Sequence, residues 1–109
     1  MVAITDVTEV PIDAFSAREI AYASARSDPE RRLAARLAAK QAAIAALGGD
    51  LQLRDVEIRR GRGGPPWIEL SKRARARLAE IGGTRVLVSM THGRQHAAAV
   101  VVVVGGPPP

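Results

Sequence analysis

There is no cysteine among the 109 residues, so disulfides and thiolate metal sites are both unavailable, and the expected setting is a reducing one. Aromatic side chains are nearly as scarce. Phe15, Tyr22 and Trp67 are the three, and they do not cluster as a base-stacking platform for nucleic acid requires. No zinc-finger or ribonucleoprotein signature occurs either. No apolar run approaches the roughly 20 residues needed to cross a bilayer, and the first residues lack the basic-then-apolar layout of a signal peptide. The expectation is a soluble, cytoplasmic protein that does not engage a membrane. Acidic residues are in deficit, with 11 Asp+Glu against 16 Lys+Arg and a formal charge of +5. Such a surface favours polyanions: nucleic acid, an acidic protein or a phosphorylated cofactor. Composition does not choose among them.

What the chain does have is one well-marked helix. It runs from Asp28-Pro29-Glu30 to Leu47-Gly48-Gly49. Asp28 is placed to cap it, Pro29 suits the first helical position, and Gly48 or Gly49 supplies the left-handed residue that ends it. Leu33, Leu37, Ile44 and Leu47 form one stripe, and Lys40 fills the gap in it. Taken alone, that lysine reads as one that buries its stem and keeps its amine in water.

The length suits a single domain, residues 1–104, near the size at which an oligomer interface adds greatly to stability. Val2 to Val10 read as a strand. Ser16 and Glu19 form a capping box that opens a short helix through Tyr22 to about Ala25, with Phe15 and Tyr22 assigned to the core. Arg54 to Arg60 alternate as a half-buried strand. Gly61 to Pro66 turn the chain and Trp67 to Leu70 return it. That glycine-rich turn is not a P-loop, because it lacks the Lys-Ser/Thr pair and leads into a strand. Ser71 caps a third helix reaching Ile81, with Ala74, Leu78 and Ile81 inward and Lys72, Arg73, Arg75 and Arg77 on a solvated face. Arg85 to Val88 run as a strand into Ser89-Met90-Thr91-His92, and Ala97 to Val104 make a strand buried in the middle of a sheet. Gly105 to Pro109 read as a disordered tail.

Arg36-Leu37-Ala38-Ala39-Lys40, with Ala42 and Ala46-Leu47-Gly48 after it, resembles the central motif of the holo-acyl-carrier-protein synthases. These are small 4'-phosphopantetheinyl transferases that move a phosphopantetheine arm from coenzyme A to a carrier-protein serine. Asp6 to Val10 resemble the family's first strand, Phe15, Ser16 and Glu19 its second motif, and Ser89 to His92 its third. The resemblance implies an α+β fold with an antiparallel sheet packed on the long central helix, assembled as a homotrimer with clefts between neighbouring subunits. It also implies that Asp6 binds Mg²⁺ and that Ser89 and His92 hold coenzyme A phosphates. Two positions depart from the family. Gln41 stands where a Mg²⁺-binding glutamate is usual, and Ala45 where a second lysine is common. Both lie on one helical ridge, so charge is missing from one wall of one pocket. A helical segment that follows the first strand in the family is also replaced here by an early Pro11, which alters the carrier-docking surface.

The residues left suggest a scaffold repurposed for metal-independent acid–base chemistry, such as cyclisation, dehydration or isomerisation, on a polyketide-like or carrier-tethered intermediate. Lys40, His92 and Asp6 are then the catalytic candidates, and Arg36, Gln41, Ser89 and Glu19 the substrate-binding ones, with no metal or cofactor. Two alternatives stay open. The first is an active transferase using coenzyme A and Mg²⁺, with Asp6 and Gln41 as metal ligands and an acidic acyl carrier protein as partner. The second is a non-catalytic binder of an acidic carrier protein or nucleic acid.

Overall fold

The computed structural model describes residues 1–6, 11–61 and 63–105, and of residues 5, 6 and 12 the backbone alone. Strand β1 (Val2–Asp6) is followed by a 3-10 turn (Ile12–Ala14), helix α1 (Ala17–Ser24) and helix α2 (Pro29–Leu47). A second 3-10 turn (Leu53–Asp55) opens a hairpin of β2 (Val56–Arg59) and β3 (Trp67–Leu70). Helix α3 (Lys72–Glu80), β4 (Gly83–His92) and β5 (His96–Gly105) complete the chain. β1, β5 and β4 make a three-stranded antiparallel sheet with β5 in the centre, and β2 and β3 pair separately. The fold is α+β, with antiparallel sheet packed on a long central helix.

Alanine explains how closely the layers approach α2. Ala38, Ala39, Ala42 and Ala43 lie against Val56 and Ile58 of β2 and against Ala99 and Val101 of β5. Leu33 and Leu37 pack on another side against Ala14, Phe15 and Ala23, and Ala34 and Ala35 meet Ala97. The helix is therefore buried on most of its circumference, from Leu33 continuously to Lys40, where one aliphatic stripe was expected. With alanine methyls forming the helix side of this contact, a larger side chain at Ala39 or Ala99 would overpack the core, at a cost of about 1–3 kcal/mol.

Several local expectations are met. Ser16 Oγ accepts from Glu19 N at 3.1 Å and Glu19 Oε1 from Ser16 N at 2.9 Å, which is the capping box. Ser71 Oγ caps α3 through Ala74 N at 3.1 Å. Gly48 ends α2 at φ +72°, a region open to glycine and costly for other residues. Other expectations need correcting. Asp28 stands at the N-cap of α2 but its carboxylate makes no cap bond, because it accepts from Arg32 Nε at 3.0 Å instead. Ile81 is 40% exposed rather than inward, since α3 ends at Glu80 and the chain turns there. Residues 54 and 55 belong to the 3-10 turn, and Gly105 closes β5 instead of starting a tail. Val7 to Val10 of the expected first strand, Arg62 of the turn and residues 106–109 of the tail lie outside the described residues. Among the described residues, no helix is long and apolar enough to cross a membrane.

Candidate functional site

Lys40 sits in the buried middle of α2 and only 1% of it is exposed. Its amine is not in water, as a snorkelling lysine's would be. It lies 2.8 Å from Glu19 Oε1, donates to the Leu53 carbonyl at 3.1 Å and also donates to the Val56 carbonyl. An ammonium has three donors, and each has an acceptor here. Phe15 covers the group, with its ring centre 5.6 Å from Nζ. Glu19 is satisfied in turn, because Oε2 accepts Ile58 N at 3.0 Å. The pair ties α1, α2, the second 3-10 turn and β2 into one unit. A buried ion pair remains in place only when its remaining hydrogen bonds are met, and here they are.

Arg36 lies one turn before Lys40 and makes a different environment. It is 3% exposed, and its Nε has no hydrogen-bond partner. Its guanidinium stacks on Tyr22 at 4.1 Å from the ring centre, and Arg26 stacks on the same ring at 4.6 Å. Two cavities of about 200 and 220 Å³ meet at Arg36 and Arg60. The first is bounded further by Arg18, Tyr22, Arg59 and Trp67, the second by Arg32, Met90, Thr91 and His92. Burial pushes the Tyr22 phenol up, but Arg26, Arg36, Arg32 and Arg60 pull it down, and it ends below the usual tyrosine value. Burial also lowers the Arg36 guanidinium from its usual value, which Tyr22 and Glu19 oppose. A concave surface this cationic attracts anions, and its orphaned buried donor lacks the partner that burial calls for.

The sequence candidates separate in space. His92 pairs in register with buried Ala97 and reaches the helix side of the sheet, where Nε2 lies 4.0 Å from Asp28 Oδ2. Ser89 pairs with Val100, which is 44% exposed, so within one chain Ser89 lies on the outer sheet face, away from His92. The odd spacing between the two positions decides this. Gln41 is exposed and lines neither cavity, and Ala45 is exposed on the same ridge. Lys40 and Glu19 line a separate cavity of about 240 Å³ with Ser16, Arg54 and Glu57. The Asp6 side chain lies outside the described residues. His96 is exposed at the start of β5. The sequence reading missed Tyr22, Arg32, Arg60 and Trp67 as cleft residues. A partial signal was present, because Arg32 and Arg36 are four apart and share a helical ridge.

Among the described residues, no three of His, Asp and Glu gather as a metal shell. Gln41 offers a neutral amide oxygen, whereas Mg²⁺ is usually held by one or two carboxylates together with phosphate oxygens. The described side chains therefore do not themselves make up a Mg²⁺ site. What they do provide is fixed positive charge.

No family model matches the chain. Curated relatives do. The chain is 44% identical over 87 residues to a holo-[acyl-carrier-protein] synthase of Moorella thermoacetica, covering 77% of this chain and 68% of that protein. It is 43% identical over 76 residues to that of Nitratidesulfovibrio vulgaris strain Hildenborough, covering 66% of this chain and 61% of that one. Among solved structures, the Helicobacter pylori holo-[acyl-carrier-protein] synthase in complex with coenzyme A superposes with a TM-score of 0.75 at 25% identity, covering 94% of this chain and 99% of that one. The acyl carrier protein synthase of Mycobacterium tuberculosis gives 0.78 at 27% identity, covering 96% and 95%. The chain belongs to the holo-acyl-carrier-protein synthase family.

Proposed function

We propose that this protein is a 4'-phosphopantetheinyl transferase that takes the phosphopantetheine arm from coenzyme A and places it on a serine of an acyl carrier protein. The observation that carries the reading is Arg36. It lines both arginine-lined cavities and carries a buried Nε with no hydrogen-bond partner, and a nucleotide phosphate is a fitting partner for its guanidinium. His92, Arg32 and Arg60 add donors on one side, and Trp67 and Tyr22 add flat faces on the other. Kinship to relatives named as holo-acyl-carrier-protein synthases supports the same activity.

In the transfer, the carrier serine oxygen bonds to the pantetheine phosphate as the pyrophosphate bond breaks. The products are the loaded carrier and 3',5'-adenosine bisphosphate, and the serine proton passes to a base or to water. The arginines' part is to anchor the leaving half and offset its charge. The acid–base alternative on a polyketide-like substrate counts Lys40 among its catalytic groups with His92 and Asp6, and all three donors of that ammonium are occupied, which weighs against it.

The site extends beyond one chain in this reading. Val2, Ile4, Leu87, Val100 and Val102 are 64%, 67%, 48%, 44% and 51% exposed on the outer sheet face. A homotrimer would cover this apolar surface and bring Ser89 to a cleft between subunits. Light scattering should give three times the chain mass, and Val100→Lys should return the protein to monomer.

Mass spectrometry tests the activity. An apo acyl carrier protein incubated with this protein, coenzyme A and Mg²⁺ should gain the mass of phosphopantetheine. No gain under conditions where a relative is active would remove the proposal.

A further inference from the structure

Asp28 occupies the N-cap of a 19-residue helix, yet its carboxylate makes no bond to the helix amides. Its Oδ1 accepts from Arg32 Nε at 3.0 Å, and its Oδ2 lies 4.0 Å from His92 Nε2. Arg32 and His92 line the same cavity as Arg36 and Arg60. The carboxylate thus lies between an arginine and a histidine of the cavity, on two different elements, and Arg36 with its orphaned buried Nε lines that same cavity. The Asp28 side chain is 26% exposed, so it can turn outward without breaking the core.

We infer that Asp28 is a built-in competitor for the anionic ligand of this cleft, engaging Arg32 and His92 until a phosphate displaces it and thereby setting how strongly the cleft holds anions. The reason is charge. An incoming phosphate must either share Arg32 and His92 with a carboxylate a few ångströms away or push it into water, and both lower its affinity. Asparagine at position 28 keeps the size, remains a good N-cap residue and can still accept from Arg32, but carries no charge. The identity of the ligand as part of coenzyme A rests on the proposed function, whereas competition with an anion does not.

The probe is 3',5'-adenosine bisphosphate, with uncharged adenosine as control. Calorimetry measures the binding, and Trp67, the sole tryptophan, gives a second readout from the adjoining cavity that shares Arg36 and Arg60. Asp28→Asn should bind the bisphosphate roughly three- to tenfold more tightly at low salt, with a smaller gain at high salt and no gain for adenosine. Asp50→Asn makes the same change in net charge at the far end of α2, roughly 28 Å away for 19 residues, and should give no comparable gain. Asp28→Ser, which also removes the charge, is the second variant and should gain likewise.

Unchanged or weaker binding in both Asp28 variants overturns the inference. So does an equal gain from Asp50→Asn, or no bisphosphate binding by any of the proteins. The two proposals fail separately. A protein that gains affinity at position 28 but never loads a carrier loses the transferase reading alone. One that loads a carrier without the gain loses this inference alone.

Discussion

Lys40 and Glu19 meet at 2.8 Å with their side chains 1% and 0% exposed, and every donor of the ammonium is engaged. Removing one partner leaves the other charge buried and uncompensated, at a typical cost of about 3–5 kcal/mol. Lys40→Met and Glu19→Gln should each lower the urea midpoint sharply. The melting temperature should fall by roughly 4–8 °C for each kcal/mol lost. The double variant should be less destabilised than the sum of the two, and additive losses would show that the pair is not coupled.

Tyr22 is the only tyrosine, so the phenolate absorbance titrates one residue. Burial raises its pKa and Arg26, Arg36, Arg32 and Arg60 lower it to a net value below the ordinary one. A guanidinium favours the phenolate, so taking one away, or neutralising it with a bound anion, must raise the value. Arg36→Gln should move the titration upward, and saturating 3',5'-adenosine bisphosphate should do the same in the unaltered protein. A titration indifferent to both would place the anion elsewhere.

Acid should unfold the protein through carboxylates that the fold holds ionised. Asp55 lies below the usual carboxylate range because Gln52 N–H and then the Ser71 hydroxyl donate to it, at 2.8 and 2.7 Å. Glu57 is raised by burial but lowered more by Arg59, Ser16 and Arg18, and also ends below its usual value. A depressed folded-state value means that these groups stabilise the fold above the ordinary carboxylate pKa. That stability is lost as pH falls through the lower folded values. Asp55→Asn should flatten the loss of stability on the acid side. Denaturant midpoints measured from neutral to acidic pH check the slope.

Gln41 and Ala45 share an exposed ridge of α2 at positions where the family resemblance implies a glutamate and a lysine. Under the transferase reading, Gln41→Glu should lower the Mg²⁺ concentration needed for half-maximal loading, and Ala45→Lys should raise the rate further, together on the order of tenfold or more. Because both side chains are at the surface, stability should change by less than about 0.5 kcal/mol. Loading rates measured across a Mg²⁺ series decide the matter, and unchanged rates would mean that the ridge is not part of the site.

Most of the architecture was legible in the residues. Pro29, Gly48, the Ser16/Glu19 box, the Ser71 cap and the valine-rich last strand are local signals, and each produced its element. The errors lay where a residue had two local options and distant groups chose between them. Asp28 had a helix to cap and took Arg32 instead. Lys40 could have reached water, but the carbonyls of Leu53 and Val56, 13 and 16 residues away in sequence, enclosed it.

The sequence by itself determined the elements, the family resemblance and the surplus of arginine, because caps, periodicity and net charge are properties of neighbouring residues or of sums. Tertiary structure decided which charges meet. It drew Tyr22, Arg36, Arg60 and Trp67 from three separate stretches around one cleft, and placed Ser89 and His92, three residues apart, toward opposite faces of one sheet. The physical reason is that charge and hydrogen bonding depend on distances of a few ångströms, and those distances exist only after the helices and strands have packed.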